Sequence, residues 1–187
     1  MRRLVPIGVM AFAFALIAAP AWADTIYTTT LLGSNEVPPT GSAATGTAIV
    51  TLAGNFLDVS ITFSGLGSLD TMAHIHCCAP VGTNASVAVP FTGFPLGVTS
   101  GTYTGVFDLT NAATYNSTFL SAVGGTAAAA EAALIAGLNS GMTYANVHSN
   151  VFPGGEIRGQ LAAVPEPSTL ILSVSMLAGI LMLKKKY

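Results

Sequence analysis

Lysine is missing from the whole middle of this 187-residue chain, and arginine nearly so. Of the six basic residues, Arg2, Arg3, Lys184, Lys185 and Lys186 sit at the two ends. Between residues 24 and 163, Arg158 alone stands against Asp24, Glu36, Asp58, Asp70, Asp108, Glu131 and Glu156, so this stretch carries a net charge of -6. Such a body cannot neutralise phosphates, which excludes nucleic acid as a partner, and it offers anionic lipid nothing to attract. Cysteine is limited to the adjacent pair Cys77-Cys78. No internal repeat and no low-complexity tract is present. No general acid or base arrangement is complete either, which disfavours an enzyme.

The two ends carry what the middle lacks. Arg2 and Arg3 supply a positive start, Leu4 to Ala19 an apolar stretch, and Ala21-Trp22-Ala23 a small-x-small cleavage site, the parts of a secretory signal removed before Asp24. This predicts handling by the secretory translocon and signal peptidase. At the other end Pro165-Glu166-Pro167 precedes an apolar run from Leu170 to Leu183 and the basic tail Lys184 to Lys186. As a helix this run would be about 21 Å long, short of the ~30 Å hydrocarbon core, so it is a marginal transmembrane span. The positive-inside preference holds the lysines in the cytoplasm and places the preceding domain outside.

Val164-Pro165-Glu166-Pro167-Ser168, an apolar helix over about residues 169–183 and a basic end resemble the PEP-CTERM sorting region of bacterial exported proteins. The resemblance covers residues 164–187. It implies recognition by an exosortase, a membrane-embedded cysteine protease: transport across the inner membrane, a transient anchor there, then release to the cell surface or the extracellular space.

Residues 24–163 are one domain's length, enough to bury a core of their own. In Phe56 to Phe63 the residues Leu57, Val59, Ile61 and Phe63 alternate with Asp58, Ser60 and Thr62, the period of a half-buried strand. Further strands are predicted at Thr25 to Leu32, Thr45 to Leu52, Thr71 to His76, Ser86 to Phe91, Gly101 to Leu109, Met142 to His148 and Glu156 to Leu161. Gly54-Asn55 reads as a hairpin turn. Alanine-rich Ala127 to Leu138 predicts a short helix, and Asn111 to Val123 reads as a second helix made ambiguous by Thr114, Tyr115 and Phe119. The expected fold is all-β: a Greek-key antiparallel β-sandwich of the superoxide-dismutase or immunoglobulin kind with a late helical insertion.

All three histidines fall in two of these strands, in His74-Ile75-His76 and Tyr144-Ala145-Asn146-Val147-His148. Strand parity puts His74 and His76 on one face, and Tyr144, Asn146 and His148 on one face. The same parity aligns Glu156 with Arg158 and Gln160 in the last strand. If the three strands are neighbours, three imidazoles, a carboxylate and a guanidinium converge. Neutral imidazole suits zinc or copper, and three ligands leave an open position. The same residues also allow a purely structural hydrogen-bond cluster of Tyr144, Asn146 and the histidines, pinned by a Glu156–Arg158 ion pair. Glu36, ahead of Val37-Pro38-Pro39, reads as a turn and strand-edge feature rather than a ligand.

Leu31-Leu32-Gly33-Ser34-Asn35-Glu36-Val37-Pro38-Pro39, Ala44-Thr45-Gly46, Ala73-His74-Ile75-His76, the segment Gly141 to Ser149 and Pro153-Gly154-Gly155-Glu156-Ile157-Arg158-Gly159-Gln160-Leu161 together resemble the CHRD domain. That family is named from chordin, an extracellular antagonist of bone morphogenetic proteins, and is common in bacterial exported proteins. A looser likeness is to copper/zinc superoxide dismutase, through His74, His76, Val147-His148 and Arg158 in that order. It lacks a fourth histidine to bridge metals and a zinc-loop histidine cluster, which argues against dismutation.

Cys77 and Cys78 allow three readings in an oxidising compartment: a bond between neighbours, soft ligands added to the histidine site, or bridges to another chain. The sequence thus predicts an exported, surface- or matrix-associated structural or binding module, with extracellular polysaccharide or surface proteins as partners. The alternative is a zinc- or copper-binding protein, open to redox chemistry, built on His74, His76 and His148.

Overall fold

The computed structural model describes residues 24–165. The expected signal peptide with Ala21 and Ala23, the motif residues Glu166 and Pro167 and the expected sorting helix lie outside the described residues. Pro165 is the last one described, and it is exposed. Among the described residues no helix is long and apolar enough to cross a membrane.

The eight predicted strands form within a residue or two of their expected ends: β1 (Thr25–Leu32), β2 (Thr45–Ala53), β3 (Phe56–Ser64), β4 (Asp70–Cys77), β5 (Ser86–Pro90), β6 (Gly101–Asp108), β7 (Thr143–Ser149) and β8 (Ile157–Gln160). A two-residue strand, β9 (Ala162–Ala163), pairs with β1 off the main path. All pairings are antiparallel. Instead of the two facing sheets of a sandwich, they make one continuous sheet in the order β5-β4-β7-β8-β1-β2-β3-β6, curled into a half-barrel. The join that the sandwich expectation missed is β8 against β1, where Leu32 lies opposite Arg158 and links the β4-β7-β8 half to the β1-β2-β3 meander.

Curling lets one sheet fold over its own core. In β3 the residues Leu57, Val59, Ile61 and Phe63 point inward and are buried, while Phe56, Asp58, Ser60, Thr62 and Ser64 are exposed. Neighbouring strands β2 and β6 repeat the alternation, with Ala48, Val50, Tyr103 and Phe107 inside. The β2–β3 hairpin closes through Gly54-Asn55, with Gly54 at φ 57°, a value that costs glycine little. Between the edge strands β5 and β6, the connection carries Phe91 and Phe94, which pack with Tyr103, Phe63 and Phe107 at ring centroids 5.3–6.4 Å apart. This aromatic plug fills the mouth that an incomplete barrel leaves open.

Two short helices follow β6. The ambiguous segment 111–123 becomes a single 3₁₀ turn (Ala112–Thr114) and then α1 (Ser117–Ala122), capped by the Asn116 side chain accepting from Thr118 N at 2.9 Å. The predicted alanine-rich helix is α2 (Ala127–Asn139). Thr126 caps its start. Its end is a Schellman turn, with Met142 N donating to Gly137 O at 2.8 Å, Gly141 N donating to Leu138 O at 3.1 Å, and Gly141 at φ 66°. Leu134 and Leu138 join the core.

Candidate metal centre

Strand β7 is buried along its whole length, on both faces. Ala145 and Val147 face the barrel core. Tyr144, Asn146 and His148 face the other way, yet they too are buried. Their cover is local: the connections spanning residues 33–44, 78–85 and 150–156 fold back over the outer face of β4, β7 and β8. A half-barrel so roofed has a second, polar interior.

Register decides who meets whom there. His74 lies opposite Asn146, which lies opposite Arg158; His76 lies opposite Tyr144, which lies opposite Gln160; Met72 lies opposite His148. One ring nitrogen from each of His74, His76 and His148 lies within 4.8 Å of the others. His74 Nδ1 is 3.2 Å from His148 Nε2.

The outward nitrogens of two of these rings are bound to the roof. His76 Nδ1 lies 2.9 Å from the Ala85 carbonyl oxygen, and His148 Nδ1 lies 2.9 Å from that of Pro153. A carbonyl oxygen only accepts, so both Nδ1 atoms carry the proton and both Nε2 atoms turn a bare lone pair inward. Ligating histidines show this arrangement, their far nitrogen held by a carbonyl or carboxylate. Burial and the neighbouring imidazoles push His74 down to about 3 from 6.5. Burial pushes His76 down to about 4, against the opposing pull of the Ala85 carbonyl. His148 is lowered as well, again by burial first. Three neutral imidazoles at neutral pH are the form that binds a metal.

Beside the histidines runs a stacked column. The Tyr144 ring lies parallel to His76 at a centroid distance of 4.6 Å, and the Arg158 guanidinium covers its other face at 3.3 Å. Arg158 is buried and donates from Nη1 to Asn84 Oδ1 at 3.0 Å and from Nη2 to the Thr83 carbonyl at 2.7 Å. The one cation of the domain thus ties the 78–85 connection to the sheet. Gln160 does the same further along, donating to the Gly141 and Ala79 carbonyls.

Three predicted members are not in this cluster. Glu156 forms no ion pair with Arg158. Strand β8 begins only at Ile157, so Glu156 lies outside the strand geometry from which the pair was expected. The Glu156 carboxylate points instead to the end of the barrel. It accepts from Ser42 Oγ at 2.6 Å, from Gly67 N at 2.7 Å and from Ser149 Oγ, clamping three segments together. The cysteines also lie elsewhere: Cys77 and Cys78 are bonded to each other, and both sulfurs pack beneath α2 near Ala133 and Gly137. As the residue after His76, Cys77 faces the core, so neither sulfur joins the imidazoles.

One member escaped the sequence reading. Glu36 is buried, with its carboxyl beside the Asn146 amide and Gly155 and with Oε1 lacking a hydrogen-bond partner. Burial pushes its pKa up to about 7 from 4.5, although the Arg158 charge, Asn146 and the Val37 N–H pull the other way. It also lines a surface cleft of about 570 Å³ with Arg158, Gln160 and Thr29. The signal was the acidic residue inside Gly33-Ser34-Asn35-Glu36-Val37-Pro38-Pro39, a tight turn with no reason to hold a carboxylate unless it faces inward.

A mostly β domain, one curled sheet with two short helices and a roofed three-histidine cluster on its outer face, is the class that fold and site define. The profile of the CHRD domain matches residues 27–161, which takes in every element from β1 to β8, and the chain belongs to that family. No curated protein and no solved structure matches it.

Proposed function

We propose that this CHRD protein is an exported binding module of the bacterial surface or extracellular matrix, and that its domain holds a single transition-metal ion, zinc or copper, on His74, His76 and His148. The observation that carries the metal reading is the pair of backbone carbonyls, Ala85 O and Pro153 O, which take the outward ring protons and leave two lone pairs aimed at a common point.

Elemental analysis of the purified protein after removal of loosely held metal tests this, with His74→Ala and His148→Ala alongside. About one ion per chain is expected in the parent and none in either variant. A parent without stoichiometric metal, with both variants merely less stable, would make the histidines architectural and redirect the search to polysaccharide and surface-protein partners.

The address is a separate proposal and rests on the two ends of the sequence. Translocon and signal peptidase deliver the domain outside, and an exosortase acting at Pro165-Glu166-Pro167 releases it from its C-terminal membrane helix. Replacing Pro165 and Glu166 with alanine together is expected to trap full-length protein in the membrane fraction; release at the parental rate would exclude that protease.

A further inference from the structure

A fourth polar atom shares the point at which the three imidazoles converge. Asn146 Oδ1 lies 3.1 Å from His76 Nε2 and 3.1 Å from His148 Nε2. Both nitrogens are bare, since their rings have given their protons to Ala85 O and Pro153 O. An amide oxygen is also only an acceptor. Four lone-pair atoms, counting His74 Nδ1, therefore face one another, and the neutral tautomers offer them at most the single proton that His74 can bring. That proton can satisfy the 3.2 Å contact with His148, but then nothing lies between Asn146 Oδ1 and His76 Nε2. A buried polar atom facing another of the same kind is costly, and a cation at their centre satisfies all four.

Three of the spacings match those of a coordination shell. With metal–ligand bonds of ~2.0–2.1 Å, neighbouring donors of a tetrahedral site lie about 3.3 Å apart. The three contacts among His74 Nδ1, His76 Nε2, His148 Nε2 and Asn146 Oδ1 measure 3.2, 3.1 and 3.1 Å. The histidine nitrogens lie within 4.8 Å of one another, so the widest pair must draw in to within about 4.2 Å, twice the bond length, to share one ion. The amide is oriented from behind: its Nδ2 sits beside the Glu36 carboxyl, and both crowd Gly155, where a Cβ would meet Nδ2 and the Glu36 carboxyl carbon at 2.8 Å each. Glycine at 155 lets Glu36 reach Asn146, and Asn146 then turns its oxygen to the histidines.

We propose that Asn146 is the fourth ligand of the site, so that the protein encloses a divalent borderline ion in a closed three-nitrogen, one-oxygen shell, with the Glu36 carboxyl behind the amide. This deepens the three-histidine reading and rests on it. It also changes what the site does. A centre with three protein ligands keeps a position for water or substrate, whereas a closed one holds its ion as a structural element or as cargo.

Cobalt(II), which takes zinc-like geometries and reports them in its visible spectrum, tests the proposal on the full chain purified in mild detergent. The parent, Asn146→Ala and Asn146→Asp are loaded, titrated against a competing chelator and exposed to azide. The parent is expected to show the intense bands of a four-coordinate site and no response to azide. Asn146→Ala is expected to bind at least ~10-fold more weakly and to acquire an azide-sensitive spectrum, and Asn146→Asp to bind at least as tightly as the parent. A parent whose spectrum shifts with azide, or an Asn146→Ala protein with unchanged affinity, overturns the fourth ligand and leaves the histidine site standing. No cobalt binding by the parent overturns both. Should Asn146→Ala not fold, the parent's azide response and the Asn146→Asp affinity decide alone.

Discussion

Metal-free protein taken from about pH 6.5 to 4.5 is expected to lose roughly 3 kcal/mol of stability, enough to bring a typical domain close to unfolding. The sign follows from proton counts. His74 and His76 have folded-state pKa values of about 3 and about 4 against 6.5 when free, so through this window the unfolded chain takes up protons that the folded chain refuses. Each such group costs the folded state ~1.4 kcal/mol per pH unit. His148, also lowered, acts in the same direction.

Glu36 opposes them. Its folded-state pKa is raised to about 7 from 4.5, so the folded protein binds the extra proton there and stability is lost as pH rises toward 7. One carboxyl offsets about one histidine, and the histidines prevail. Urea denaturation at several pH values measures the slope, and Glu36→Gln should make it steeper by about 1.4 kcal/mol per pH unit between 4.5 and 6.5. A stability that is flat across that window would mean that the imidazoles titrate in the fold as they do in the unfolded chain and are not held neutral by burial. Bound metal should raise stability at every pH while leaving the slope, since metal-bound imidazoles also refuse protons, until acid displaces the ion.

Arg158→Ala should destabilise the domain by about 3–5 kcal/mol, the largest effect expected of any single side chain here. The residue is almost fully buried, its guanidinium lies 3.3 Å from the Tyr144 ring centre, and it donates to Asn84 and Thr83. Removing it strips charge-assisted hydrogen bonds from the 78–85 connection, leaves a cavity over Tyr144 and takes away the one positive charge near Glu36. Relief from burying a charge returns part of this, which sets the upper end of the range. Arg158→Lys should recover little, since an ammonium cannot lie flat on the ring while reaching both acceptors. Equilibrium unfolding in urea at pH 7.5 reads both. A cost below about 1 kcal/mol for Arg158→Ala would show that the roof is held by the rest of its contacts. Loss of the roof would also free the Ala85 carbonyl from His76, so metal affinity should fall in parallel.

How much of this was legible in advance follows the range of the interactions. In β3, alternation told both the strand and its inward face, because side-chain direction along a strand has a period of two whatever the strand pairs with. The same rule put His74 with His76, and Tyr144 with Asn146 and His148, on shared faces. Helix α2 was equally local: an alanine-rich run bounded by Thr126 and Gly141 carries its own start and stop. The acidic, lysine-free body needed no structure at all.

Parity failed at Glu156, which lies just ahead of β8 rather than within it and turns its carboxylate to Ser42, Gly67 and Ser149. Nothing in the alternation of Glu156, Arg158 and Gln160 announces that turn. Glu36 was missed because its partner Asn146 is more than a hundred residues away, and only the fold of residues 33–44 over β7 brings the two together. The apolar faces of the strands are chemically interchangeable, so the order β5-β4-β7-β8-β1-β2-β3-β6, and with it one curled sheet rather than two, was open until the long-range pairs formed. The sequence by itself determined which side chains share a face and which elements exist, because those depend on neighbours a few residues apart. Only the tertiary structure decided which faces meet, and so turned three histidines and an asparagine on β4 and β7 into one converging set, because register and roof are properties of contacts between distant segments.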